Sequence, residues 1–316
     1  MKFNKLLVYN IDESKNLDSS SWKKIKSLTN KISFLPKDDP KLKAGLKDAD
    51  GVLINFGTEF GKEEIDSAAK LKYIGVMATA FGKIDVDYAR RKKVVVSNLK
   101  GYSTESVAEF VIAATLEHTR GLEEGKVRGR TKNYSEVGIS AIELKDKIFG
   151  IVGLGTIGQK VAGIAQGFGC DVRYWSQNRK KEFEKKGIKY ESFRELISEA
   201  DIISINLAQT KETEGIFNKR VFQNLKKGVI VINTAPMELV DIDALANRLK
   251  KKDITFILDH SDEMTALDLS KISKYPNCII YPPIAYITRE AAENRKRIFI
   301  GNIEAFLKGS PKNVVN

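Results

Sequence analysis

Lys147-Ile148-Phe149-Gly150-Ile151-Val152-Gly153-Leu154-Gly155-Thr156-Ile157-Gly158 is the stretch on which the fold turns. An apolar strand runs into a glycine turn, a helical run follows to Phe168, and Asp171 to Trp175 reads as a second strand. Gly153 permits a tight turn, Gly155 lets backbone approach a pyrophosphate, and Gly158 lets the helix pack on the strand. The helix amides, with Thr156 and Ile157 in the first turn, then face the phosphates. A lone G-x-G-x-x-G is weak evidence, but strand, turn, helix and second strand in succession make it a dinucleotide-binding prediction.

At the tip of the second strand a carboxylate usually holds the adenosine ribose 2′-hydroxyl; here that place falls to Ser176. Ser176-Gln177-Asn178-Arg179-Lys180-Lys181 contains no acid. A hydroxyl, an amide and a guanidinium (Ser176, Asn178, Arg179) suit a 2′-phosphate, so the stretch leans towards NADP over NAD. A solvated, basic helix start accounts for the same residues.

Outward from this motif, the 316 residues suffice for two domains. A composition of 42% hydrophobic and 30% charged residues is that of a soluble globular protein. Two distant cysteines, Cys170 and Cys278, fit packing in a reducing cytoplasm rather than a disulfide framework or a metal site. The apolar run near Met1 is too short for a signal peptide or membrane span. The net charge of +12 is spread over lysines mixed with acids, without aromatic interleaving, and argues against a nucleic-acid surface.

Before the motif, apolar runs at Leu6–Ile11, Ile32–Leu35, Gly51–Phe56, Tyr73–Thr79 and Val94–Asn98 alternate with helical stretches. After it come Ile202–Leu207, Val229–Asn233, Ile254–Asp259 and Cys278–Tyr281. This alternation specifies two α/β, doubly wound parallel sheets, whose sites lie beyond the carboxyl ends of the strands. Ala80-Phe81-Gly82-Lys83-Ile84-Asp85 follows one such end, where exposed amides suit an acidic group or form an ordinary strand-to-helix turn. Gly101 to Phe110 begins a long amphipathic helix with Ser103 or Thr104 as N-cap, and Thr288 to Gly309 reads as a closing helix.

The chain resembles the D-isomer-specific 2-hydroxyacid dehydrogenases over nearly its whole length, most closely the hydroxypyruvate, glycerate and glyoxylate reductase branch. The likeness rests on Leu71–Thr79 with Ile84-Asp85, Gly101–Glu109, Glu143–Gly158, and Asn206 to Asn218 with Thr210 and Thr213. It implies a flavodoxin-like outer domain (1–103 with 285–316) and a Rossmann NAD(P)-binding domain (104–284), with a cleft between them that closes on a small-molecule substrate. It further implies a homodimer built on the long helix and the polar arm after it. Ala78, Thr79 and Ala80 would form the substrate loop, and Thr213, Thr234, Ala235 and Asp259 would serve the nicotinamide side.

The resemblance also assigns the chemistry to an arginine, a glutamate and a histidine, and this chain has Pro236, Met264 and Pro283 at those places. Ala80 likewise replaces a glycine. Proline and methionine cannot act as acid, base or carboxylate clamp. The two histidines and nearby tyrosines are the substitutes to weigh. His118 lies within the long helix and reads as an exposed or interface residue. His260 follows Asp259 and, with Ser261, Asp262 and Glu263, forms either a polar cluster able to exchange a proton or a solvated loop. Tyr281 and Tyr286 offer a hydroxyl or mere packing. Three readings stand: a reductase of a 2-oxo acid or related carbonyl with a substitute proton donor, a nicotinamide-binding pseudoenzyme or sensor responding to an effector, and an enzyme using bound NAD(P) for another reaction.

Overall fold

The structure is a computed structural model that describes every residue except Gly82 and the side chain of Glu263. The chain divides into two compact units, Met1–Ser103 with Thr288–Asn316, and Thr104–Ile287.

The first unit holds a five-stranded, wholly parallel sheet. Its strands are β1 (Phe3–Tyr9), β2 (Thr29–Leu35), β3 (Gly51–Ile54), β4 (Tyr73–Val76) and β5 (Val95–Ser97), in the order β2-β1-β3-β4-β5. That order is the flavodoxin-like one. Leu6, Leu7 and Val8 are wholly buried, because a parallel strand covered on both faces must be apolar throughout. Each such side chain contributes about 1.5–3 kcal/mol. Asp50 starts β3 from the loop before it, its carboxylate accepting the Asn4 and Lys5 amides at 2.9 and 3.0 Å.

The helix Arg289–Leu307 packs on β4 through a stripe containing Ala291, Phe299, Asn302 and Ile303. Thr288 caps it by accepting the Ala291 amide at 3.0 Å. The segment beyond it covers the open edge of β5, with Val315 N–H donating to Val96 O at 2.9 Å.

The second unit is a seven-stranded parallel sheet. Its strands are β6 (Ile148–Val152), β7 (Asp171–Trp175), β8 (Lys189–Tyr190), β9 (Ile202–Ile205), β10 (Ile230–Asn233), β11 (Thr255–Leu258) and β12 (Cys278–Ile280). The order β12-β11-β10-β9-β6-β7-β8 reverses direction at β6, which makes the end of β6 a topological switch point. Both units are thus parallel α/β sheets, one flavodoxin-like and one of Rossmann type.

Several expected strands are shorter than the apolar runs suggested. β4 stops at Val76 and β9 at Ile205, since the apolar residues beyond them belong to loops at the carboxyl edge. The two-residue β8 was too short to leave a periodic signal. The long helix, Thr104–Thr119, buries Ser106, Val107, Ala108, Val111, Ile112, Ala114, Thr115 and Thr119. These span well over one stripe, so most of the helix is covered within its unit and the exposed side of the expected amphipathic helix narrows to Glu105, Glu109 and Ala113. Cys170 and Cys278 are both buried and free. No helix among the described residues is long and apolar enough to cross a membrane.

Candidate functional site

The turn after β6 is fixed by its glycines. Gly153 sits at φ +98°, and a Cβ there would lie 2.8 Å from Asn206 O. At Gly158 a Cβ would lie 2.2 Å from Gly153 O, so only glycine lets the helix Thr156–Gly167 approach the turn. Gly155 differs: it is the helix N-cap, it supplies no side-chain cap, and a Cβ there would meet nothing within 4 Å. Open space therefore faces the first-turn amides of Thr156, Ile157 and Gly158, which have no intrahelical acceptor. With the positive end of the helix dipole behind them, they fit a pyrophosphate. This is the cradle that a nicotinamide dinucleotide requires.

The turn after β7 is more engaged than its sequence suggests. The Ser176 hydroxyl donates to Asn178 O at 2.7 Å and closes the turn. Arg179 is not a free cation: its Nε and Nη2 donate to Glu184 at 2.7 and 2.6 Å, and its guanidinium lies 5.0 Å from the centre of the Tyr190 ring. Tyr174 completes the group, accepting the Lys180 amide at 2.7 Å and donating to Glu184 at 3.1 Å. Arg179 and Tyr174 hold the Glu184 carboxyl below its ordinary range. Glu184 was missed by sequence reasoning. Its five-residue separation from Arg179, across the start of the short helix Lys181–Glu184, was the available signal.

At the ends of β9 and β10 the side chains mostly shape backbone. Thr213 Oγ1 donates to Ala208 O and accepts the Thr210 amide, at 2.7 and 2.8 Å. The fully buried Asn233 accepts the Ala235 amide at 3.1 Å and places its Nδ2 3.1 Å from Met237 Sδ. Thr234 and Pro236 are half-buried on either side of the buried Ala235. Pro236 leads into the turn Met237–Leu239, which is backed by Gly215 and Phe217 donating to Glu238 O and Leu239 O. Met264 is partly buried and packs on the core below β10 and β11.

Past β11, Asp259 is 1% exposed, and its Oδ2 accepts the Ala285 amide at 3.0 Å. His260 stands beside it with Nε2 3.8 Å from Asp259 Oδ1 and its side chain 24% exposed. Ser261 donates to Tyr281 O at 3.2 Å, joining this loop to the end of β12. Asp262 is exposed, and the Glu263 side chain, expected in the same cluster, lies outside the described residues.

The two tyrosines separate. Tyr281 donates a short hydrogen bond to Glu117 on the long helix and stands edge-on to Phe110 at 5.3 Å. Burial and the neighbouring carboxylate raise its pKa above the usual tyrosine range, and its hydroxyl proton is engaged by Glu117. Tyr286 is exposed beyond Pro283, which is half-buried. His118 sits at the amino end of β11, its Nε2 3.1 Å from Thr255 Oγ1, and burial lowers its pKa. That is the sheet edge opposite the glycine turn.

In the first unit the end of β4 is tied to the end of β5. Leu99 N–H donates to Ala78 O at 2.9 Å, Asn98 Nδ2 to Thr79 O at 2.6 Å, and Thr79 Oγ1 to Leu99 O at 3.1 Å. Thr79 and Ala80 are exposed. Gly82, within the segment expected to present amides, lies outside the described residues.

Comparison with known proteins agrees with this architecture. The model for the D-isomer specific 2-hydroxyacid dehydrogenase NAD-binding domain matches residues 112–285. A hydroxypyruvate reductase of Blautia hydrogenotrophica is 32% identical over 287 residues, covering 85% of each chain. A glyoxylate reductase of Thermococcus litoralis is 33% identical over 293 residues, covering 89% of this chain and 88% of the relative. Among solved structures, an acyclic imino acid reductase in complex with NADPH and D-Arg superposes with a TM-score of 0.86 at 28% identity, over 98% of this chain and 100% of that one. D-lactate dehydrogenase of Aquifex aeolicus, complexed with NAD and lactic acid, gives 0.85 at 27% identity over 96% of each. These relatives are reductases and dehydrogenases and lend no support to a pseudoenzyme. The chain belongs to the D-isomer-specific 2-hydroxyacid dehydrogenase family, and its second unit contains that family's NAD(P)-binding domain.

Proposed function

We propose that this protein is an NADPH-preferring reductase of a small 2-oxo acid, working as a cytoplasmic homodimer, in which His260 supplies the proton. The observation that carries the reading is the buried Asp259 beside His260 at the carboxyl end of β11, in a sheet whose glycine turn fits a dinucleotide. A reduced nicotinamide supplies the hydride when bound. Gly153, Gly155, Thr156, Ile157 and Gly158 would hold its pyrophosphate; Thr213, Thr234, Ala235 and Asp259 lie on the strand ends that would border its nicotinamide. An imidazole at this strand end carries an exchangeable proton that it can give to the substrate oxygen. Pro236 and Pro283 narrow the choice of donor because neither can exchange a proton. Tyr286 is the remaining alternative.

The preference for NADPH is supported by Arg179, which Glu184 and Tyr190 brace at the tip of β7 while its Nη1 edge has no partner among the described residues. Dimerisation is supported by the helix Leu122–Arg130, which buries none of its residues, and by the exposed Tyr134 and Val137 in the arm after it.

The test is NADPH and NADH oxidation at enzyme concentrations comparable to substrate, against glyoxylate, hydroxypyruvate and pyruvate. Turnover should fall about a hundredfold or more in His260→Ala. Turnover unchanged in that variant would remove His260 from the mechanism, and no turnover with dinucleotide bound would sink the reading. The likeness to an imino acid reductase favours a second reaction class for the same assay. A protonated imine brings its own proton, so its reduction would survive His260→Ala.

A further inference from the structure

The helix Arg289–Leu307 carries one residue that its packing does not explain. Its buried stripe runs through Ala291, Phe299, Asn302 and Ile303, and Arg295 falls on that stripe, four residues from both Ala291 and Phe299. Packing against β4 calls for an apolar side chain there. Arg295 instead places Nη2 3.2 Å from Met77 Sδ, a weak acceptor, and its buried Nε has no hydrogen-bond partner among the described residues. Lys296, next to it, pairs with both Asp18 and Glu293. No described acid lies within ion-pair reach of Arg295. A half-buried guanidinium without a carboxylate is costly to the fold, and such groups are retained where a ligand completes them.

The surroundings say what kind of ligand that is. Met77 is the first residue past β4 and leads directly into Ala78, Thr79 and Ala80. The carbonyls of Ala78 and Thr79 are tied to Leu99 and Asn98, while the three amides make no hydrogen bond among the described residues. A planar fork of N–H donors beside a turn of free amides matches an oxyanion with two coplanar oxygens.

We propose that Arg295 is an oxyanion-docking residue that binds the carboxylate of the substrate. The assignment takes its ligand from the 2-oxo acid reading above, though the site itself stands on the arginine and the β4 turn.

Arg295→Met separates this role from a structural one. Methionine fills the same stripe without an unpaired donor, so the variant should melt no lower than the wild type. Calorimetric titration of the NADP-saturated protein with oxamate, a non-reducible 2-oxo acid analogue, should show binding weakened about tenfold or more, the usual worth of hydrogen bonds to a charged group. NADPH affinity should stay unchanged. With glyoxylate, KM should rise by a similar factor, while glycolaldehyde, which has no carboxylate, should be reduced as before. Arg295→Lys should recover part of the loss, and it serves as the test if the methionine variant does not fold. Oxamate affinity within twofold of wild type in both variants, or no oxamate binding by the wild type, overturns the proposal. Oxamate binding through Arg295 without turnover of any 2-oxo acid would sink the reductase reading and leave this site standing. Glyoxylate turnover indifferent to Arg295 would do the reverse.

Discussion

Two parts of one carboxyl edge can be compared directly: the turn after β6, and the loops after β10, β11 and β12. At the first, backbone geometry decides the residues. Gly153 needs a positive φ, and Gly158 has no room for a Cβ. At the second, no glycine of this kind fixes the turns: Pro236, Asp259 with His260, and Pro283 stand past the strand ends, and the roles proposed for them rest on side-chain chemistry. The difference teaches that the dinucleotide cradle is written into the backbone, while the reaction proposed above would depend on side chains past the strand ends. A chain can keep the first and alter the second.

The comparison breaks most visibly at the glycines. Gly158→Val should cost both stability and binding, because its Cβ would stand 2.2 Å from a backbone oxygen that cannot yield without moving the turn. The expected loss is about 2–4 kcal/mol in urea unfolding, with NADPH binding abolished. Gly155→Val is the contrast. Its backbone is extended (φ −79°, ψ −164°) and its Cβ would meet nothing, so stability should change little while NADPH affinity collapses, measured by fluorescence titration. Equal destabilisation by the two valines would mean that the space before the helix is structural rather than a ligand's.

A smaller effect is expected at the tip of β7. Arg179→Ala should weaken NADPH binding about tenfold and NADH binding less than twofold, since only NADPH carries the phosphate. Equal losses would leave Arg179 a structural partner of Glu184 and Tyr190 and would remove the argument for NADPH.

How much of this was legible in the sequence depended on range. The parallel sheets were legible because each strand is a local apolar run, and the glycine cradle because its residues are five apart at most. The engagement of Arg179 was not, because a basic run looks solvated until Glu184 and Tyr190 are folded against it. Tyr281 could not be dismissed as a proton donor until its acceptor was known, and Glu117 lies 164 positions earlier. Arg295 was hidden among the charged residues Arg289, Lys296 and Arg297; only the burial of the stripe through Ala291 and Phe299 marks it as out of place. Met264 shows the limit of register arguments: its position follows from counting, but its packing on the core carries no sign of a catalytic place.

The smallest expected effect sharpens the comparison along β11 itself, which has a histidine near each end. His260, at the carboxyl end, should govern rate. His118, at the amino end against Thr255, should govern only the pH dependence of stability. Burial lowers its pKa below the ordinary 6.5, so the unfolded chain binds the proton more readily. Its contribution is therefore fully present above about pH 6.5 and is lost as pH falls through that value towards the lowered folded one. Urea midpoints measured between pH 7.5 and 5.5 (roughly one unit either side of the free value) should fall for the wild type, by an amount worth about 1 kcal/mol or less. His118→Gln keeps a hydrogen-bonding group near Thr255 but cannot titrate, so it should flatten that slope and leave kcat unchanged, whereas His260→Ala should lower kcat. A slope that persists undiminished in His118→Gln would place the titrating group elsewhere, and a fall in kcat would mean that the amino edge of the sheet is not silent in the reaction.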